Sequence, residues 1–168
     1  MREFKTNLLI PLPIDHAFEL VFNSTQVSQI MKEKNEHECG PWEKNKRKIH
    51  FEMQNENIPG PLLQILGGGK IRVTATQIKK EERDKGKIVV VNKIRPHLLG
   101  AEFIKIRPTM TLTETTGGTL FDIRCEMHAV FPPPLNSMLE EFMLMAIKFN
   151  YEWFIQSLGQ LHAPQSDA

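Results

Sequence analysis

The chain has 168 residues, a length that suits one domain with a substantial core. Its 40% hydrophobic and 24% charged content is that of a soluble globular protein. A formal net charge of +1 removes any bulk electrostatic case for nucleic acid or for an anionic membrane.

Two cysteines, Cys39 and Cys125, make no disulfide framework and are expected as reduced thiols. The opening Met-Arg-Glu-Phe-Lys-Thr-Asn lacks the apolar core of a secretory signal. No apolar run approaches the ~18 residues that a membrane span needs. A cytoplasmic location is expected, with membrane contact limited to transient touching.

Residues 4–11 read as a first strand, ended by Pro11 and Pro13. Asp15 then offers an N-cap to a short helix carrying Ala17, Phe18, Val21 and Phe22 at helical spacing. A second short helix starting at Ser24 or Thr25 carries Val27, Ile30 and Met31. Residues 37–46 read as a polar connection.

Strands follow. Ile49, Phe51 and Met53 alternate with Lys48, His50 and Glu52; Ile71, Val73 and Ala75 alternate with Arg72, Thr74 and Thr76. Residues 88–91 form a β-branched run expected to be buried on both faces. In residues 103–115, Met110 and Leu112 share a face, and Pro108 predicts an edge or a bulge. Residues 120–131 alternate most cleanly, with Phe121, Ile123, Cys125, Met127, Ala129 and Phe131 in one phase. Asp84-Lys85-Gly86 and Thr116-Gly117-Gly118 read as hairpin turns.

Pro132-Pro133-Pro134 stops the last strand, and Ser137-Met138-Leu139-Glu140 reads as a capping box. A helix then runs to about Leu161, on the order of 35 Å at 1.5 Å per residue. Its apolar stripe is wider than one flat contact requires. The order predicts an α+β domain over residues 1–161 with a loose tail at 162–168. In it a curved antiparallel sheet of about six or seven strands wraps a long C-terminal helix, with two short helices after the first strand.

This order resembles the START-like, or helix-grip (SRPBCC), superfamily, whose first strand, proline corner and first helix the opening "IPLPIDHAFELVFNS" matches. Within it, "AFELVFNSTQVSQIMKE", "GPWEKNKRKIHFEM", "VTATQIKK" and "HLLGAEFIKIRPTMTL" resemble VASt-type sterol-binding domains. The stretch "IPGPLLQILGGGK" departs from that pattern. The resemblance implies a greasy internal pocket and a lipid-like ligand. Other branches of the superfamily include cyclases and hydrolases.

On that reading, Phe142, Met143, Met145, Ala146, Phe149, Asn150 and Trp153 line the pocket from the helix, and Met110, Leu112, Ile123 and Met127 from the sheet. Read without the resemblance, the same stripe is core packing. Asn150 could bond a ligand hydroxyl or a backbone carbonyl. Leu62, Leu63, Ile65 and Leu66, with His97, Leu98 and Leu99, suggest a pocket entrance. The alternatives are a short covering helix for the first group and an ordinary turn for the second.

Lys44, Lys46, Arg47 and Lys48, and then Lys79, Lys80, Arg83, Lys85 and Lys87, read as solvated basic faces with at most weak attraction to anionic lipid. Gly67-Gly68-Gly69-Lys70 is followed by Ile71 and a strand, so it is no phosphate loop. His37-Glu38-Cys39 has nothing nearby to complete a metal site. No catalytic set, metal or cofactor is expected. The leading function is non-catalytic binding, extending to transfer, of a sterol or another hydrophobic small molecule. The alternatives are a START-like cyclase or hydrolase acting on an aromatic or polyketide-like compound, and an interaction module with a filled core.

Overall fold

The computed structural model describes residues 2–35, 38–53, 71–97 and 101–162. The chain runs β1 (Arg2–Ile10), α1 (Ile14–Phe18), a π-helical turn (Glu19–Asn23), α2 (Thr25–Asn35) and β2 (Glu38–Cys39). It continues through β3 (Lys46–Met53), β4 (Ile71–Glu82), β5 (Lys87–Pro96), β6 (Ile104–Thr115) and β7 (Gly118–Ala129) to α3 (Leu135–His162). The seven strands form one sheet in the order β1-β7-β6-β5-β4-β3-β2, with every neighbouring pair antiparallel. This is the expected α+β helix-grip architecture. No helix among the described residues is long and apolar enough to cross a membrane.

Strand alternation builds the concave face. In β7, Phe121, Ile123, Cys125, Met127 and Ala129 are buried, while Arg124, Glu126 and His128 face solvent. Two tight turns set the register. Lys44 and Asn45 both have positive φ, and Glu43 and Lys46 exchange backbone hydrogen bonds of 2.8 and 3.0 Å around them. Gly118 has φ 135°, and a Cβ there would overlap the Ile10 carbonyl, so only glycine fits.

The core has two parts. At the α1 end, Phe18, Val21, Phe22, Phe121, Phe154 and Leu158 pack together with residues of β5 and β6. Near the start of α3, Phe4, Ile104, Ile106, Met127, Leu139 and Met143 form the second. Tyr151 packs against both. α3 rests along β1 and β7, so the space between it and β3–β6 is left to be filled by something other than backbone.

Several local expectations change. Asp15 does not cap α1: the N-cap position is Pro13, without a side-chain bond, and Asp15 instead pairs with Arg83 at 3.0 Å. α3 begins at Leu135, two residues before Ser137, so no capping box starts it. Glu140 is 5% exposed and accepts the Ala129 N–H at 3.0 Å, which ties the helix to the end of β7. The connection over 37–46 contains β2 and the Lys44–Asn45 turn. Residues 88–91 alternate after all: Ile88 and Val90 are buried, Val89 and Val91 only half-buried. Pro108 lies in a central strand. The β5–β6 ladder pauses there, between Val91–Thr109 and Ile94–Ile106, because proline has no N–H to give.

Candidate functional site

A cavity of about 200 Å³ lies between α3, α2 and the concave face of β3–β6. Its sheet wall follows from the register. Ile49, Ala75, Ile94 and Ile106 lie side by side across β3, β4, β5 and β6. Two residues further along, Phe51, Val73 and Pro96 form a second apolar row. Two residues the other way, Arg47, Gln77 and Asn92 form a polar row. Successive rows are about 7 Å apart, the rise of two strand residues. All ten side chains line the cavity, and α3 closes it with Leu139, Phe142, Met143, Ala146, Ile147, Asn150, Tyr151 and Phe154.

The polar row departs from the expected solvated face. Arg47 is 7% exposed, because it shares the inward phase of Ile49 and Phe51. Its Nε donates to Gln77 Oε1 and its Nη1 to the Phe22 carbonyl, both at 2.6 Å. The guanidinium lies 4.5 Å from the Trp42 ring and 5.8 Å from that of Phe22. Trp42 is itself fixed by donating Nε1–H to Asn23 Oδ1 at 2.9 Å. Burial pulls the pKa of Arg47 below its ordinary value, with Cys39 acting weakly the other way; arginine nonetheless stays charged. Among the described residues no carboxylate pairs with it. Asn92 is 2% exposed, and its Nδ2 meets no acceptor among the described residues.

Lys79 also leaves the solvated face: its Nζ sits 4.8 Å from the Phe18 ring and 3.3 Å from Glu81. The cavity is otherwise poor in titratable groups. Cys39 and Tyr151 line it, and burial raises the pKa of both. No Asp, Glu or His lines it among the described residues, and no His, Cys, Asp and Glu side chains gather there into a metal site.

Of the residues singled out from sequence, Met110, Phe142, Met143, Ala146 and Asn150 line the cavity. Asn150 donates one Nδ2 hydrogen to the Ala146 carbonyl at 2.9 Å, which leaves its Oδ1 and its second N–H as groups that can serve a ligand. Met145 and Phe149 do not line it. They are 70% and 66% exposed, on the outer side of α3, because the wide stripe covers more of the helix than the sheet can bury. Leu112, Ile123 and Trp153 belong to the packed core at the α1 end, and Met127 to the other core. His97 is exposed beside the sheet, its Nε2 2.5 Å from Thr74 Oγ1, and is not part of the lining. Leu62, Leu63, Ile65, Leu66, Leu98 and Leu99 lie outside the described residues. So does His37 of the His37-Glu38-Cys39 run.

Neither a family model nor a curated protein sequence matches the chain. Solved structures do. The ZhuI aromatase/cyclase from Streptomyces sp. R1128 is 10% identical over 96% of each chain, with TM-score 0.62. Ara h 8.0201 is 11% identical over 95% of this chain and 96% of its own, with TM-score 0.60. A STAR-related lipid transfer protein from Xanthomonas axonopodis is 13% identical over 84% of this chain and 78% of its own, with TM-score 0.54. At such identities the likeness carries the fold: a long helix gripped by a curved antiparallel sheet.

Proposed function

We propose that the chain binds a hydrophobic small molecule in this cavity without transforming it, and hands it on to a membrane or a second protein. The observation that carries the reading is the cavity itself. Protein cores are close-packed and leave few voids larger than a water molecule, so a space of about 200 Å³ between α3 and the sheet is more than core packing accounts for. An apolar ligand entering it contributes about 25 cal/mol per Å² removed from water. A core filled by methionines, the interaction-module alternative, leaves no such space.

The likeness to a lipid transfer protein fits this reading. The sequence resemblance to VASt-type domains makes a sterol one candidate ligand. Leu62, Leu63, Ile65 and Leu66 are the proposed entrance, a greasy segment suited to brief contact with a membrane surface. A cytoplasmic carrier would work this way.

A cyclase-type enzyme is the second reading, favoured by the aromatase/cyclase neighbour and by Arg47 and Tyr151 in the lining. Proton transfer would fall to Tyr151. Its raised pKa makes it a hydrogen-bond donor and a poor base at neutral pH.

Native mass spectrometry of protein purified without detergent, followed by organic extraction, tests the proposal. A stoichiometric apolar molecule recovered unchanged is the expected result. A chain that is empty and takes up nothing from vesicles of mixed lipid and sterol would refute it.

A further inference from the structure

Arg47, Gln77 and Asn92 stand side by side at one end of an otherwise apolar cavity, and two features of that row call for a ligand group. First, Arg47 carries a buried positive charge with no carboxylate paired to it among the described residues. Among the described residues it makes two hydrogen bonds, which use two of its five N–H donors, and both acceptors are neutral. Buried cations are ordinarily matched by an anion, since desolvating the charge alone is costly. Second, the Nδ2 of Asn92 is buried and has no acceptor among the described residues, although it lines the same cavity. A buried donor left unmade is the costly case in hydrogen bonding. The first feature is a cation without a described anion, and the second is a donor without a described acceptor. A hydroxyl would serve Asn92 and leave the charge of Arg47 unmatched. A carboxylate serves both.

The rest of the cavity fixes the orientation. From the polar row, the two apolar rows Ile49–Ala75–Ile94–Ile106 and Phe51–Val73–Pro96 extend towards the ends of β3 and β5. That is about 14 Å of apolar wall, faced by Phe142, Met143 and Ile147 of α3.

We infer that the cavity takes a monocarboxylate amphiphile, head inward, with its carboxylate on Arg47 and Asn92 and its chain along the two apolar rows. This rests on the proposed binding of a hydrophobic molecule and names its class.

Isothermal titration at neutral pH with dodecanoate, dodecan-1-ol, methyl dodecanoate and cholesterol separates the two claims. Dodecanoate is expected to bind at least about tenfold more tightly than the alcohol or the ester, the ratio that one charge-assisted hydrogen bond supports. Arg47→Met should collapse that ratio to near one. Arg47 also holds the Phe22 carbonyl, so Gln77→Glu provides a second variant that keeps this bond. It places a carboxylate where Gln77 Oε1 already accepts from Arg47, giving the cation an internal partner, and should turn the preference towards the alcohol. Alcohol, ester or cholesterol binding as tightly as the acid would overturn the inference while leaving the hydrophobic-ligand reading standing. No binding by any of the four probes would overturn both. An acid preference that survives in a folded Gln77→Glu variant would overturn the assignment to this row.

Discussion

Filling the cavity from within discriminates a binding chamber from a loosely packed core. Ala146 lines the cavity from α3, and its carbonyl, which holds Asn150, does not depend on its side chain. Ala146→Phe places a ring in the space of about 200 Å³. Burying a phenylalanine side chain contributes about 1.5–3 kcal/mol. The helix-propensity loss from alanine takes back roughly 0.5 kcal/mol. The net gain of ~1–2.5 kcal/mol should raise the melting temperature by about 2–10 °C in a chain of this length. The same variant should lose its apolar ligand, since ring and ligand occupy one volume. Thermal unfolding followed by circular dichroism, alongside titration with dodecanoate, reads both effects. A melting temperature lowered by several degrees would mean that the space is not there to be filled. A raised one with unchanged affinity would place the ligand elsewhere.

Other consequences are separable. Glu140→Ala strips the acceptor from the buried Ala129 N–H and should cost about 1–3 kcal/mol in urea unfolding. Glu140→Gln keeps an acceptor oxygen there and should cost less. Gly118→Ala forces a Cβ into the Ile10 carbonyl at φ 135° and should destabilise by more than ~1 kcal/mol. Among the thiols, Cys39 is exposed and lines the cavity, whereas Cys125 is buried. A thiol-reactive dye should therefore label Cys39 alone in the native chain, and more slowly once ligand is bound. Burial raises the Cys125 thiol from its usual 9.0 to about 12. The folded state thus holds that proton more tightly than the unfolded state. The associated stability is complete below pH 9 and is lost as pH rises towards 12. Cys125→Ala should flatten that alkaline loss in denaturation midpoints measured across the range.

The strands and the long helix were legible because their apolar residues recur at the periods of a sheet and a helix. β7 shows this best, with buried Phe121, Ile123, Cys125, Met127 and Ala129 in strict alternation. Element starts were less legible, since capping is decided by what packs nearby. Ser137 and Glu140 fit a capping box in sequence, yet Glu140 turns away to the end of β7. Periodicity also could not say how much of the α3 stripe would be covered. Met145 and Phe149 are as apolar as Met143 and Ala146, but α3 meets the sheet along β1 and β7, and its outer face stays exposed.

The polar row was hidden for a different reason. Arg47 sits between Lys46 and Lys48, and composition assigns all three to one basic surface. Phase gives a different assignment. Arg47 stands two residues before Ile49, Gln77 two after Ala75, and Asn92 two after Val90. Each is the polar member of an inward-facing series. A polar side chain in an apolar phase is expensive unless partnered. Three of them meeting across adjacent strands therefore cannot be read as ordinary surface. Among the described residues their partnership is only half made: Arg47 and Gln77 bond each other, and Asn92 Nδ2 is left over. An apolar core would have been cheaper with leucine at all three positions. On the proposed reading the row serves a ligand that enters the cavity, and donors on Arg47 and Asn92 call for a ligand that brings an acceptor.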